Sequence, residues 1–168
     1  MPLLKNGVEV TDDKWVRVDD DADLPEDCHA LISMGRWLKE RETLLTRNKP
    51  IGVALDSSDT PDEIMDDLDR FSLIAVDFPQ FKDGRGFSYG RLIRHRGGYR
   101  GELRATGGVL VDQLHYLTRC GYDAVDGDAR ITESAWAEAN SRFREVYQPT
   151  GDGQKTVIQK REERRRAG

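Results

Sequence analysis

The feature that most constrains this chain is a rhythm of short apolar runs separated by stretches with helical periodicity. The runs are His29-Ala30-Leu31-Ile32-Ser33, Ile51-Gly52-Val53-Ala54-Leu55 and Leu73-Ile74-Ala75-Val76-Asp77. Each has strand length and no sustained polar alternation, the pattern of buried parallel strands. Between them, Trp37, Leu38, Leu44 and Leu45, and then Ile64, Leu68 and Phe71, recur at helical spacing. A strand-helix period of about 22 to 28 residues implies right-handed crossovers and a mainly parallel sheet, so the fold class is α/β. Thr60, Pro61 and Glu63 form a helix-start signature for the second helix: cap, first-turn proline and capping-box acid.

The rhythm continues to the end of the domain. Ser88 to Arg96 reads as a helix stopped by Gly97-Gly98. Tyr99 to Ala105 reads as a strand with Leu103 and Ala105 on one face and Glu102 and Arg104 on the other. Val109, Leu110, Leu114 and Leu117 give a helical stripe ending at Gly121, and Tyr122 to Val125 another short strand. Thr132 caps a last helix bearing Trp136, Ala139, Phe143, Val146 and Tyr147, closed by Pro149. At the start, Pro2 to Val10 and Trp15 to Val18 read as strands of an N-terminal β-hairpin over residues 1–18, with Asn6-Gly7 as its turn. The acidic run Asp19 to Asp23 reads as a solvated linker or, alternatively, a metal site. Residues 151–168, basic and without periodicity, read as a disordered tail beyond a single α/β domain of residues 1–150. About five βα units fit either an open doubly wound sheet or half of a (β/α)8 barrel. Both place ligands beyond the carboxyl ends of the strands, which brings Asp56, Asp77 to Gly86, Arg104 to Gly108 and Asp123 to Asp126 to the mouth of a site.

With 37% hydrophobic and 34% charged residues, the chain has the composition of a globular protein with a heavily charged surface. No apolar run is long enough for a membrane helix, and the start lacks the layout of a signal peptide, so the expected location is cytoplasmic. Cys28 and Cys120 lie far apart without metal-ligand spacing and are read as free thiols. Cys120, beside Arg119, is either a buried structural residue or a thiol of lowered pKa.

Against a formal net charge of -5, the segment from Phe78 to Tyr122 gathers Arg85, Arg91, Arg94, Arg96, Arg100, Arg104 and Arg119 around a glycine-rich turn. Local basicity in an acidic chain points to an anion, which guanidinium groups and glycine-freed amides hold well. The leading candidate is Asp83-Gly84-Arg85-Gly86 followed by Ser88, between a strand and a helix; the alternative is an ordinary turn with Ser88 as a cap. Arg91 and Arg94 extend this site. Glu102 and Arg104 form either a ligand site or a buried ion-pair network, with Asp112 and Gln113 as expected partners. The chain carries no NAD, ATP or iron-sulfur motif, so any cofactor is unknown, and His29, His95 and His115 define no metal triad. The basic tail alone does not make a nucleic-acid binder of an acidic domain.

These residues also carry a resemblance. Phe78-Pro79-x-Phe81-x-Asp83-Gly84-Arg85-Gly86, Arg91-Leu92-x-Arg94, Gly101-Glu102-Leu103-Arg104-Ala105, Asp112-Gln113 and Arg119-Cys120-Gly121-Tyr122-Asp123 resemble the signature of the bacterial domain of unknown function 934 family. The family pattern has an acidic residue after Gly107 and an aromatic at position 125, where this chain has Gly108 and Val125. The resemblance implies a setting in sulfur assimilation, beside assimilatory sulfite reductase. It leads to the expectation of an accessory protein of sulfite reduction that binds an oxyanion, or sulfite reductase or another sulfur-assimilation enzyme, through Arg85, Arg91, Arg94 and Arg104. The alternative is an oxidoreductase acting directly in sulfite reduction with an unrecognised cofactor.

Overall fold

The computed structural model describes residues 2–80, 82–142 and 145–167. Phe81 and Phe143, both read from the sequence above, lie outside the described residues. The fold is mixed α/β, built on one eight-stranded sheet: β1 Leu3–Lys5, β2 Val8–Glu9, β3 Trp15–Arg17, β4 His29–Ser33, β5 Ile51–Leu55, β6 Phe71–Phe78, β7 Glu102–Gly107 and β8 Ala124–Asp126. The strand order is β2-β1-β8-β7-β6-β5-β4-β3. From β3 to β8 every neighbour is parallel and follows in chain order; β1 is antiparallel to β8 and to β2.

This order decides between the two architectures left open by the sequence. A doubly wound sheet reverses its strand order at a switch point; here the order never reverses, so right-handed crossovers all fall on one face and the sheet curls as a half-barrel. Chain length enforces the curl. β2 and β3 lie at opposite edges of the sheet, about 34 Å apart if it were flat. Residues 10–14 join them, and six Cα steps from Glu9 to Trp15 reach at most about 21 Å. The connection therefore straps the mouth of a bent sheet.

The connections are not five regular βα units. β4 runs directly into α1, Met34–Leu44, where the Ser33 hydroxyl accepts the amide hydrogen of Arg36 at 2.9 Å. Between β5 and β6 lies a 3₁₀ helix, Pro61–Arg70, in place of the expected α-helix, and the Thr60 side chain makes no cap bond. Its buried Pro61, Ile64 and Asp67 are three residues apart, the repeat of a 3₁₀ helix. After β6 come α2, Arg85–Arg91, and a π-helical turn, Leu92–Arg96; after β7, a 3₁₀ turn, Val111–Gln113, and α3, Leu114–Arg119. α4, Glu133–Arg142, is capped by Thr132, whose hydroxyl accepts from the amide of Ala135 at 3.2 Å.

Two further expectations differ from the structure, the hairpin and the tail, and the exposed acidic run between them gains an anchor. The hairpin closes within Leu3–Glu9 on Asn6 and Gly7, both with positive φ, while Trp15–Arg17 joins the far edge of the sheet, parallel to β4. The acidic run is tied down: the buried Arg36 guanidinium donates to the carbonyls of Asp19 and Ala22 at 2.6 and 2.8 Å. The tail forms α5, Val157–Ala167, started by a reciprocal capping box in which the Thr156 amide donates to the Gln159 side chain and the Gln159 amide to the Thr156 hydroxyl.

The period-two alternation of the strands splits the sheet into two faces. Val53, Leu55, Ile74, Val76, Leu103, Ala105 and Val125 pack under the helices against Trp37, Ile64, Ile93 and Leu117. Leu31, Ala54, Leu73 and Ala75, with Trp15, form a smaller cluster on the concave face.

Candidate functional site

Three of the seven arginines named in this segment, Arg94, Arg104 and Arg119, hold the fold together. Arg94 donates to the carbonyls of Gly121, Tyr99 and Gly101 at 2.8, 2.7 and 3.0 Å and to the Asp123 carboxylate at 2.8 Å, and its guanidinium lies over the Tyr99 ring. It joins the end of the π-helical turn to the segment entering β8. Arg119 is buried and bound to Asp152 and the Gln148 carbonyl, both at 2.8 Å. Arg104 is buried on the concave face, bound to Glu102 at 2.8 Å and to Asp13 of the strap at 2.7 Å, and Glu102 also takes Lys5 at 2.7 Å. The expected partners Asp112 and Gln113 are not part of this network. Glu102 and Arg104 point away from the helical layer that carries those two residues; Gln113 instead accepts from the Leu110 amide at 2.9 Å, and Asp112 lines a pocket between α3 and α4.

The leading candidate, Asp83 to Ser88, carries its own anion. The Asp83 carboxylate accepts both arms of the Arg85 guanidinium at 2.9 and 2.6 Å and the Arg85 amide at 3.1 Å, and Arg85 holds the Asp83 carboxyl below its usual range. Gly86 serves packing: a Cβ there would stand 2.5 Å from the Phe78 ring, and its carbonyl accepts the Tyr122 hydroxyl at 2.6 Å. Gly90, one turn on, admits the Tyr122 ring in the same way. Gly84 has open space where a side chain would be and stands as the residue before α2. Because α2 begins at Arg85, Ser88 lies inside it and is not its cap. Ser88 and Arg91 instead line a groove with His95, Arg96, Thr150 and Gly151. Arg91, His95 and Arg96 are exposed there, and Arg96 has only a long contact with Asp62, 3.8 Å.

The second site is the mouth of the half-barrel. Each parallel strand brings one polar residue to its carboxyl end on the concave side: Arg17, Ser33, Asp56, Asp77, Thr106 and Asp126 from β3 to β8 in turn. They border two connected lobes of about 380 and 290 Å³ that share Arg17, Asp77 and Thr106. Ala54 and Ala75 keep the floor low. Burial raises the Asp77 carboxyl, opposed by Arg17, and likewise the Asp126 carboxyl, opposed by Arg104. Asp56 goes the other way, since hydrogen bonds from Ser58 stabilise its charge. Among the described residues, no group of three or more His, Cys, Asp or Glu side chains is placed to hold a metal ion.

The sequence pointed to Asp56, Asp77, Thr106 and Asp126 through the rule about strand ends, but not to Arg17 or Ser33. The available signal was a polar last residue in a short strand, weak by itself. Of the two readings of Cys120, the buried one holds: it is fully enclosed, and burial pushes its thiol up to about 11.

A sequence profile described as a bacterial protein of unknown function (DUF934) matches residues 52–158, from β5 through the half-barrel to the start of α5. No curated protein matches the chain. The profile covers more than half of the 168 residues, including the Arg94–Asp123 staple and the Gly86–Tyr122 packing, and the chain accordingly belongs to the DUF934 family.

Proposed function

We propose that this protein is an accessory factor of assimilatory sulfite reduction that binds an oxyanion, free or carried on the surface of a sulfite reductase partner. The binding element is the groove of Ser88, Arg91, His95 and Arg96. One observation carries this reading. Once Arg85, Arg94, Arg104 and Arg119 are matched to carboxylates and carbonyls, Arg91, Arg96 and Arg100 remain exposed, and the first two share one groove with a hydroxyl and an imidazole. Exposed guanidinium groups flanked by a hydroxyl and an imidazole suit bidentate oxyanion recognition. The pathway rests on the resemblance of Phe78 to Asp123 to its family. A thiol-based oxidoreductase is the poorer reading, because a buried thiol raised to about 11 is a weak nucleophile.

The test is capture from host cells grown with sulfate as sole sulfur source, read by mass spectrometry. Wild-type protein should retain sulfite reductase subunits, and an Arg91→Glu, Arg96→Glu variant should lose them while keeping its melting temperature. Absence of those subunits from the wild-type capture, together with normal growth of a deletion strain on sulfate, would remove the assignment.

A further inference from the structure

The concave mouth is a different surface from the basic groove, and it brings an exposed arginine and a half-buried carboxylate to one cavity. Elsewhere, interior charges are matched: Arg104 to Glu102 and Asp13, Arg94 to Asp123, Arg119 to Asp152. Arg17 and Asp77 border both lobes of the cleft, and Arg17 acts electrostatically on the Asp77 carboxyl. Yet among the described residues neither has a hydrogen-bond or ion-pair partner. Two opposite charges that share a cavity without closing on each other leave room for a ligand between them.

The neutral groups of the cleft add a second constraint. The Thr106 hydroxyl gives its hydrogen to the Val76 carbonyl at 3.3 Å, and the Ser33 hydroxyl gives its hydrogen to Asp20 at 2.7 Å. Ser33 also accepts the Arg36 amide as the cap of α1, so the hydroxyl that faces the cleft as an acceptor is that of Thr106. Its natural counterpart is an N–H donor. A plain anion would meet Arg17 but also the surrounding carboxylates, and a plain cation would share the cavity with the like charge of Arg17.

We propose that the concave cleft binds a small zwitterion of the α-amino-acid class, its carboxylate on Arg17 and its ammonium against Asp77 and the Thr106 hydroxyl. The low floor of Ala54 and Ala75 leaves space for a short side chain. Arg17 belongs to the short edge strand β3, held by the strap, so the carboxylate end of the site depends on residues outside the span matched by the family profile.

The experiment is calorimetric titration of the full chain with L-alanine and L-glutamine, alongside L-lactate, which has a hydroxyl for the ammonium, and ethylamine, which lacks the carboxylate. At least one amino acid should bind with submillimolar affinity, and both truncated probes should bind roughly tenfold more weakly or worse. Arg17→Met, an exposed position, should weaken amino-acid binding roughly tenfold at unchanged melting temperature, and Asp77→Asn should do the same in a protein at least as stable as wild type. Failure of both amino acids to bind, lactate binding as well as alanine, or wild-type affinity in folded Arg17→Met would overturn the proposal.

Discussion

The two faces of the sheet are made by the same strands. On the covered face, Val53, Ile74, Val76 and Leu103 are fully enclosed and meet Trp37, Ile64 and Leu117. On the concave face, the alternate residues are small and apolar at the floor, Ala54 and Ala75, and charged toward the mouth, Asp77 and Arg104. One side is close-packed, so lost volume is felt there directly. The other holds desolvated charge around open space, an arrangement that costs stability and is kept where a site needs it. A substitution should therefore destabilise the first face and can relieve the second.

The largest break should come at Trp37. Its ring is 1% exposed, packs edge-on to Phe71 at 4.6 Å, and donates to Asp67 at 3.0 Å. Trp37→Ala should cost about 3–5 kcal/mol by chemical denaturation, and a loss below about 1.5 kcal/mol would mean that the covered face is loosely packed. Tyr122→Phe is a smaller probe of the same face. It removes the hydroxyl that Gly86 accepts and leaves that carbonyl buried, for a loss of about 1–2 kcal/mol; an unchanged midpoint would place water at that carbonyl.

Asp77→Asn sharpens the contrast because its effect should have the opposite sign. Burial raises the Asp77 carboxyl above its unfolded value of 3.8, so the folded state holds this proton more tightly and loses stability as pH rises through that value toward the folded one. At neutral pH the loss is complete. Asparagine carries no such proton, so the variant should unfold at a slightly higher temperature than wild type at pH 7, and the gain should vanish below the ordinary carboxylate range. Asp67 gives the control: Arg41 lowers its pKa, so its contribution is present at neutral pH and fades only as pH falls below that range. A destabilised Asp77→Asn at pH 7 would place the concave charge among the structural elements.

Much of the sheet was legible because local signals and burial agreed. Asn6-Gly7 specified the turn, Leu103 and Ala105 were separated from Glu102 and Arg104 by the strand period, and Thr132 marked the start of α4. The failures have physical causes as well. The buried role of Asp67 has no local sign, because its partners Trp37 and Arg41 stand on another helix, 30 and 26 positions away. The tail was read from its charge and lack of periodicity alone, which passes over the capping box that Thr156 and Gln159 form at the start of α5. In the arginine cluster, residue type gave the chemistry and the fold decided its use: Arg94 meets carbonyls that only the turn at Gly97-Gly98 and the approach to β8 bring together. The concave site takes single residues from six strand ends, so no stretch of sequence contains it.

Strand β1 is synthesised before every other strand of the sheet, yet Leu3, Leu4 and Lys5 pair with Asp126, Val125 and Ala124 of the last one. Until β8 exists, β1 has only the two-residue β2 beside it, too little to persist in water. The closure of the sheet must therefore be a late, long-range event in folding, with its loop entropy spent after the parallel strands have formed. Before that event β8 presents an unpaired edge, and a second chain whose own β1 is free offers it the matching sequence. The N-terminal strand is thus the element through which two chains of this protein would exchange, and shortening the strap would favour that exchange over closure within one chain.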